Sequence, residues 1–394
     1  MINICDMNNV RIFASIIDEV TKKQINDLAE SDAYNGCVIR IMPDTHAGKG
    51  CTIGSVIQYA DRVVPNTVGV DIGCGMLVVK LGKVDIDLPK LDFVVKSFVP
   101  SGFSVHETPK QWFDLSKFHA DISKKEYILR SIGTLGGGNH FIELNEDDRG
   151  EKYLVIHSGS RNLGVQVCNY WQKRAYEKLT DDSELRKEII SRLKAEGREK
   201  EIGDTLKRIV RPYINKDLAY LEGEDLQMYL DDMKLCQDYA RLNRLTISSI
   251  ILFHMGLDFV DMFTTIHNYI DIPNKIIRKG AVAAEKDCEL IIPMNMRDGS
   301  LICKGKGNSD WLCSAPHGAG RIMSRAQAFK NLSLVEYEAE MSSVYTTSVC
   351  QETIDEAPMV YKPADVIMKD IADTVEIVNV IRPIYNFKAK ESGR

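Results

Sequence analysis

The chain is 394 residues long, with 44% hydrophobic, 8% aromatic and 27% charged residues, proportions that exclude a disordered chain and allow one large or two modest cores. Its 50 Lys plus Arg against 56 Asp plus Glu leave a formal charge of −6. That argues against a surface that coats polyanions, which needs Lys and Arg to neutralise phosphates, and leaves only a local basic groove open. No run approaches the roughly 20 consecutive apolar residues of a membrane helix, and Asp6 and Arg11 interrupt the first segment where a secretory leader would be apolar. A cytoplasmic location without membrane contact is therefore expected.

Between Val38 and Val99 the short apolar runs CVIRIMP, GSVIQYA, TVGVDIG and MLVVKLG alternate with Gly and Pro, which predicts buried strands joined by tight loops. From about Leu163 to Met255 the pattern turns helical, densely charged in ELRKEIISRLKAEGREKEIGDTLKRIVRPY and more amphipathic in LQMYLDDMKLCQDYARLNRLTISSIILFHM. After His267 strand-like pieces return in KIIRKGAVAAEKDCELIIPMNMRDGSLICKGKG and again in VEIVNVIRPIYNFKA. Because strand-like pieces flank the helical block, both ends are expected to complete one core. The whole of 1–394 then reads as a single α/β (α+β) domain with a helical insertion at about 163–255. The pattern leaves open whether that block holds a substrate, binds a partner or braces the sheet. The ten cysteines are scattered, which fits reduced thiols, most of them small core residues.

The informative polar residues stand inside Gly-rich, otherwise apolar loops. In TVGVDIGCGM, Asp71 and Cys74 lie three apart among glycines; a carboxylate and a thiolate so spaced can converge on one cation, or the segment is a buried turn with a core cysteine. GTLGGGNHFIEL carries Asn139, His140 and Glu143, and YLVIHSGSRNLG places His157 at the end of an apolar run ahead of a Gly/Ser loop and Arg161, a setting suited to an oxyanion. His267 follows the helical block in TTIHNYID, and His317 stands in CSAPHGAGR before Arg321 and Arg325. Any one of these histidines alone would read as a hydrogen-bonded core residue. Four of them in such loops, with a DxxC loop, suggest a site assembled from distant segments for a borderline-soft ion such as Zn, Mn, Fe or Co. His106, His119 and His254 sit in ordinary amphipathic surroundings and read as structural.

The segments PDTHAGKG, VGVDIGCGM, GGGNHFIE, HSGSRNLG, QDYARLNR, HNY, HGAGR and DEAPMVYK occur in this order from about Pro43 to Lys388, and the ordered set resembles the RtcB family of RNA ligases over nearly the whole chain. The resemblance implies an α/β sandwich around a deep cleft with two metal ions. It also implies joining of an RNA 3′-phosphate or 2′,3′-cyclic phosphate to a 5′-hydroxyl, with GTP and Mn(II), in RNA repair or tRNA processing. In some members an accessory protein speeds the reaction. By this resemblance Asp71, Cys74, His140, His157 and His267 are metal ligands, with Cys74 shared between the ions, and His317 is the nucleophile that takes up GMP. Asn139, Glu143, Asn295, Ser300, Gly318, Ala319, Gly320, Tyr361 and Lys388 join His317 around the nucleotide, and Arg161, Arg321 and Arg325 hold RNA or GTP phosphates. Two places depart from the family pattern. PMNMRDGS, Pro293 to Ser300, replaces a loop of small residues with Asn295, Arg297 and Asp298, and Lys49 stands where an aromatic residue is common. The altered loop raises the alternative of a metal-dependent RNA phosphodiesterase, an end-healing hydrolase that lacks guanylylation.

Overall fold

A computed structural model describes residues 9–48, 50–208 and 214–389; Asp6 and Lys49 lie outside the described residues. Two sheets and the helices between them organise an α+β fold. The larger sheet runs in the order Glu289–Asn295, Gly299–Gly305, Val375–Lys388, Phe141–Glu146, Lys152–Ser158, Gly75–Gly82 and Asp261–Ile266, antiparallel throughout, with Tyr345–Thr346 added in parallel to Val375–Lys388. Successive side chains on a strand take opposite faces. Leu77, Val79, Ile142, Leu144, Leu154 and Ile156 therefore point one way, against Leu91, Val94 and Val95 of the helix Leu88–Phe98 and Ile247 and Ile251 of the helix Gly223–Met255. Met76, Val78, Phe141, Val155, Ile291, Ile302 and Ile381 fill the other face.

The second sheet has the order Val10–Ile12, Val38–His46, Ile53–Gln58, Ile276–Lys279 and Asn268–Asp271. Ile39, Ile41, Ile57 and Ile277 share a core with Ile25 and Leu28 of the helix Glu19–Ala29, Leu163 and Trp171 of Arg161–Thr180, and Tyr229 and Tyr239 of Gly223–Met255. The 33-residue helix Gly223–Met255 thus spans both cores, its first half in one and its last turns in the other. The two long helices of this block pack against the sheets through these cores. The long helix stops at Gly256, whose φ of 69° closes its C-terminus in the left-handed region that glycine enters without strain.

Two local expectations are corrected. TVGVDIG is not a strand: after the short turn Pro65–Thr67 the chain bends through Gly69 and Gly73, at φ 91° and 73°, and the strand begins only at Gly75. The two glycines turn the backbone before the strand begins, so the apolar run is a loop. LDFVVKSF, within the stretch expected to be mostly sheet, is helical: Asp87 accepts from the backbone N–H of Lys90, Pro89 stands in the first turn, and Leu91, Val94 and Val95 recur at helical spacing. Among the described residues no disulfide links the cysteines, and no helix is long and apolar enough to cross a membrane.

Candidate active site

Strand register gathers the chemistry. Gly75 pairs with both Ser158 and Ile266, and Phe141 pairs with His157. Cys74, His140 and His267 each stand one residue beyond these paired positions, so four neighbouring strand ends deliver Cys74, His140, His157 and His267 to one point. The Cys74 Sγ lies 3.4 Å from His140 Nε2 and 3.2 Å from His157 Nε2, and His157 Nε2 is 3.4 Å from His267 Nε2. Asp71 Oδ2 closes the group at 2.9 Å from His140 Nε2.

The ligand atoms form two triads that share the thiol, Cys74–His157–His267 and Asp71–Cys74–His140, each with its atoms within 4.8 Å of one another. His140 Nδ1 donates to Leu135 O at 2.8 Å and His157 Nδ1 to Asn139 O at 3.1 Å, which orients both rings with Nε2 facing the cluster. Burial holds the His157 and His267 imidazoles well below their ordinary range, so both are neutral, the form that binds a cation. Burial alone would raise the Asp71 carboxyl, but the His140 hydrogen bond and charge outweigh it and hold the group at about 2. Burial pushes the Cys74 thiol well up, a cost that a bound cation reverses by favouring thiolate. Thiolate, imidazole and carboxylate together suit Mn, Fe, Co or Zn rather than Mg or Ca. The donor set fits two such ions.

The surroundings leave the ligands little freedom. Asp71 Oδ1 accepts from the backbone N–H of Ser160 at 3.0 Å, and Gly159 is required because a Cβ there would lie 2.0 Å from the same oxygen. Behind the ligands, the buried Arg244 guanidinium donates to Gly73 O and Ser158 O, both at 2.9 Å. Its neighbour Asn243 bonds Gly133, Thr134, Ser158 and Gly159. Both belong to the long helix, which therefore fixes the loops that carry Asp71, Cys74 and His140 and the end of the strand that carries His157.

His317 follows the strand Ser314–Pro316 and its ring centroid lies 4.8 Å from that of His267. Its Nδ1 donates to Asp44 Oδ2 at 2.6 Å and its backbone N–H to the same oxygen at 3.1 Å. A carboxylate on Nδ1 leaves Nε2 as the basic, nucleophilic nitrogen.

The sequence itself is similar to those of known proteins. The profile of the family described as tRNA-splicing ligase RtcB matches residues 24–121 and 114–389. The RNA-splicing ligase RtcB of Escherichia coli (strain K12) is 31% identical over 389 aligned positions, covering 88% of each chain. The tRNA-splicing ligase RtcB of Aeropyrum pernix is 28% identical, covering 87% of this chain and 86% of its own. The chain belongs to the RtcB family.

In this RtcB protein the Asp/Cys/His cluster and His317 open on one cleft of about 1230 Å³. Asp71, Cys74, His157 and His267 line its floor with His317, Gly318, Ala319 and Gly320; Asn139, Glu143, Asn295, Arg321, Arg325, Tyr361 and Lys388 complete the wall. His140 sits behind, buried at 4% exposure but within reach of Asp71 and Cys74. Two residues singled out from the sequence are not brought to the wall. Ser300 is wholly buried in the strand Gly299–Gly305. Arg161, at φ 56°, turns its guanidinium into the loop behind the cluster, onto Gly102 O at 2.8 Å and Thr134 Oγ1 at 3.3 Å.

Glu356 organises the basic side of the cleft. Its carboxylate takes Lys388 Nζ at 2.9 Å, the Tyr361 hydroxyl at 2.6 Å, Arg321 at 3.2 Å and Arg325 at 3.3 Å. Burial would raise this carboxyl, but the charges of Lys388, Arg325 and Arg321 hold it at about 2. Glu143 shows the opposite balance. Burial pushes it to about 7 against the amide hydrogen bonds of Asn386, at 2.7 Å, and Asn145. The divergent hairpin satisfies its own polar groups: Asn295 Oδ1 accepts from the backbone of Arg297 and Asp298, Asn295 Nδ2 donates to Asp298, and Arg297 pairs with Asp298 and Glu340. Its added charges cancel locally.

Sequence reading missed Asp44, His46, Asn243, Arg244 and Glu356. All lie inside the segments PDTHAGKG, QDYARLNR and DEAPMVYK, so the signal was a polar residue in a motif whose partner lies far away in the chain. His46 lines the cleft with Nδ1 donating to Asp44 O at 3.0 Å, and burial lowers it to about 4, so it is neutral near pH 7.

Proposed function

We propose that this RtcB protein is an RNA ligase that joins an RNA 3′-phosphate, or a 2′,3′-cyclic phosphate, to a 5′-hydroxyl with GTP and Mn(II), through a covalent histidine–GMP intermediate on His317. The observation that carries the reading is the placement of His317, oriented by Asp44 at 2.6 Å, beside two ligand triads that share Cys74. When bound to Asp71, Cys74, His140, His157 and His267, two Mn(II) ions supply Lewis-acid charge at the reacting phosphates.

His317 Nε2 attacks the α-phosphorus of GTP, the bond to the β-phosphate oxygen breaks, and pyrophosphate leaves. The positive charge that develops on the imidazole is stabilised by Asp44 through Nδ1–H. An oxygen of the RNA 3′-phosphate then attacks the GMP phosphorus, the bond to His317 Nε2 breaks, GMP passes to the RNA as a phosphoanhydride, and the imidazole leaves neutral. The 5′-hydroxyl oxygen attacks the activated 3′-phosphorus, its proton is lost, and GMP departs. A cyclic phosphate is first opened by water. Arg321, Arg325 and Lys388, with Asn139 and Asn295 nearby, hold RNA or nucleotide phosphates, and Glu143 and Tyr361 bound the base of GTP. Recognition of RNA ends through phosphates suits repair of cleaved RNA.

The hydrolase alternative drew on the charges of the Pro293–Ser300 hairpin. It is weakened by the pairing of the two added charges, Arg297 and Asp298, with each other. The test is the intact mass of the protein after incubation with Mn(II) and GTP, beside ATP and a His317→Ala variant. One added GMP that disappears in the variant supports the ligase; protein that contains metal but forms no adduct with either nucleotide overturns guanylylation and favours the hydrolase.

A further inference from the structure

Lys362 directly follows Tyr361 of the cleft wall, yet its side chain is buried at 3% exposure. Its ammonium donates to three backbone carbonyls, Ile16 at 2.9 Å, Pro43 at 2.8 Å and Thr45 at 3.0 Å. An ammonium has three donors, and here each has a carbonyl; a neutral amine would leave one of them unbonded. Pro43 and Thr45 flank Asp44 on the strand Val38–His46. The backbone N–H of the same lysine donates to Gly320 O at 2.9 Å, in the loop that follows His317. That loop approaches the strand so closely that a Cβ on Gly320, at φ 74°, would lie 2.1 Å from Asp44 O. One residue therefore ties the strand of Asp44 to the loop of His317.

Charge points the same way. A buried cation is stable only with an opposing charge or full hydrogen bonding. Asp44 is wholly buried, its Oδ2 takes both bonds from His317, and its Oδ1 has no hydrogen-bond partner among the described residues. Burial drives the Lys362 ammonium down, and the charge of Asp44 opposes this more than those of Asp370 and Asp18.

We propose that Lys362 is a positioning residue for the nucleophile: it clamps the carbonyls on either side of Asp44, balances the Asp44 charge, and so keeps the carboxylate on His317 Nδ1. The proposal rests on the reading of His317 as the nucleophile.

The test uses the full chain with Lys362→Met, Lys362→Arg, Asp44→Asn and the Lys362→Met/Asp44→Asn pair. The first readout needs no nucleotide: in protein labelled with nitrogen-15 at histidine, the hydrogen-bonded Nδ1–H resonance of His317, assigned by its loss in His317→Ala, is expected to vanish or shift in Lys362→Met. The second is the rate constant of GMP adduct formation at saturating GTP. It is expected to fall by about 10- to 100-fold in Lys362→Met, with the half-saturating GTP concentration and bound metal unchanged. In the paired variant it should fall no further than in the slower single variant, because the lysine acts through Asp44. Lys362→Arg keeps the charge but cannot aim three donors from one atom, so it should fall between wild type and Lys362→Met, and it carries both readouts if Lys362→Met does not fold. An unaltered Nδ1–H resonance, an unaltered adduct rate, additive losses in the pair, or a rate that falls only with metal and GTP affinity each overturns the proposal. If the wild type forms no adduct, the ligase reading fails and the resonance alone decides the role of Lys362.

Discussion

Replacing Asp44 by Asn keeps the side chain's shape and removes its charge, which makes it a direct probe of how His317 is activated. Asp44 Oδ2 accepts the His317 backbone N–H at 3.1 Å and Nδ1–H at 2.6 Å, and Oδ1 is buried without a hydrogen-bond partner among the described residues. The amide of Asn can offer its carbonyl oxygen to both donors, so the geometry survives, while its NH2 takes the place of Oδ1. A hydrogen bond to a charged group contributes about 1.5–3 kcal/mol and a neutral one about 0.5–1.5 kcal/mol. The difference, with the lost stabilisation of the imidazolium that forms during attack, comes to about 1–2 kcal/mol. At about 1.36 kcal/mol per decade, Asp44→Asn should form the GMP adduct about 5- to 30-fold more slowly than wild type. Asp44→Ala, which loses the whole interaction, about 3 kcal/mol, should be slower by about 150-fold. The assay is single-turnover adduct formation followed by intact mass at saturating GTP and Mn(II), with metal content measured on each sample. An Asp44→Asn protein that reacts at the wild-type rate with its metal intact would refute the role given to the carboxylate.

Cys74→Ala should lower bound Mn(II) at both positions, because each triad loses its shared ligand and retains two; metal analysis that still finds two ions per chain would remove the sharing. Glu356→Gln leaves Arg321, Arg325 and Lys388 without their common anion. The Glu356 carboxyl falls from its ordinary 4.5 to about 2, so its contribution is present above pH 4.5 and fades as pH falls toward 2. The variant should be less stable by about 3 kcal/mol at pH 7, and urea unfolding from pH 7 down to pH 3 should show the gap closing. Glu143 has the opposite sign. Its carboxyl rises from 4.5 to about 7, so the wild type loses stability as pH climbs between those values. Glu143→Gln should therefore gain up to about 3 kcal/mol relative to wild type between pH 5 and pH 8, read from thermal melts; a constant difference would contradict the burial argument.

The sequence by itself determined which residue types meet at the centre. DxxC, NH, the strand-ending His157, HNY and HGAGR each mark a side chain that joins the cluster or lies beside it, because glycine-rich loops that hold polar groups are unusual within apolar runs. It also determined most strands after His267 and the helical character of the middle block, through periodicity. It did not determine that TVGVDIG is a loop or that LDFVVKSF is a helix, because backbone sign at Gly69 and Gly73 and the capping by Asp87 overrode the apolar pattern.

Only the tertiary structure decided how the pieces act on one another. Register between Gly75, Ser158, Ile266, Phe141 and His157 brings ligands far apart in sequence to within a few ångströms. Asp44 meets His317 across 273 residues, Lys388 meets Glu356 across 32, and Arg161 turns away from the cleft. The charges of Arg297 and Asp298, which suggested a disturbed triphosphate site, pair with each other. A motif reports what a side chain can do through its own chemistry; which partner tunes it depends on long-range packing, and no local pattern in the chain encodes that partner.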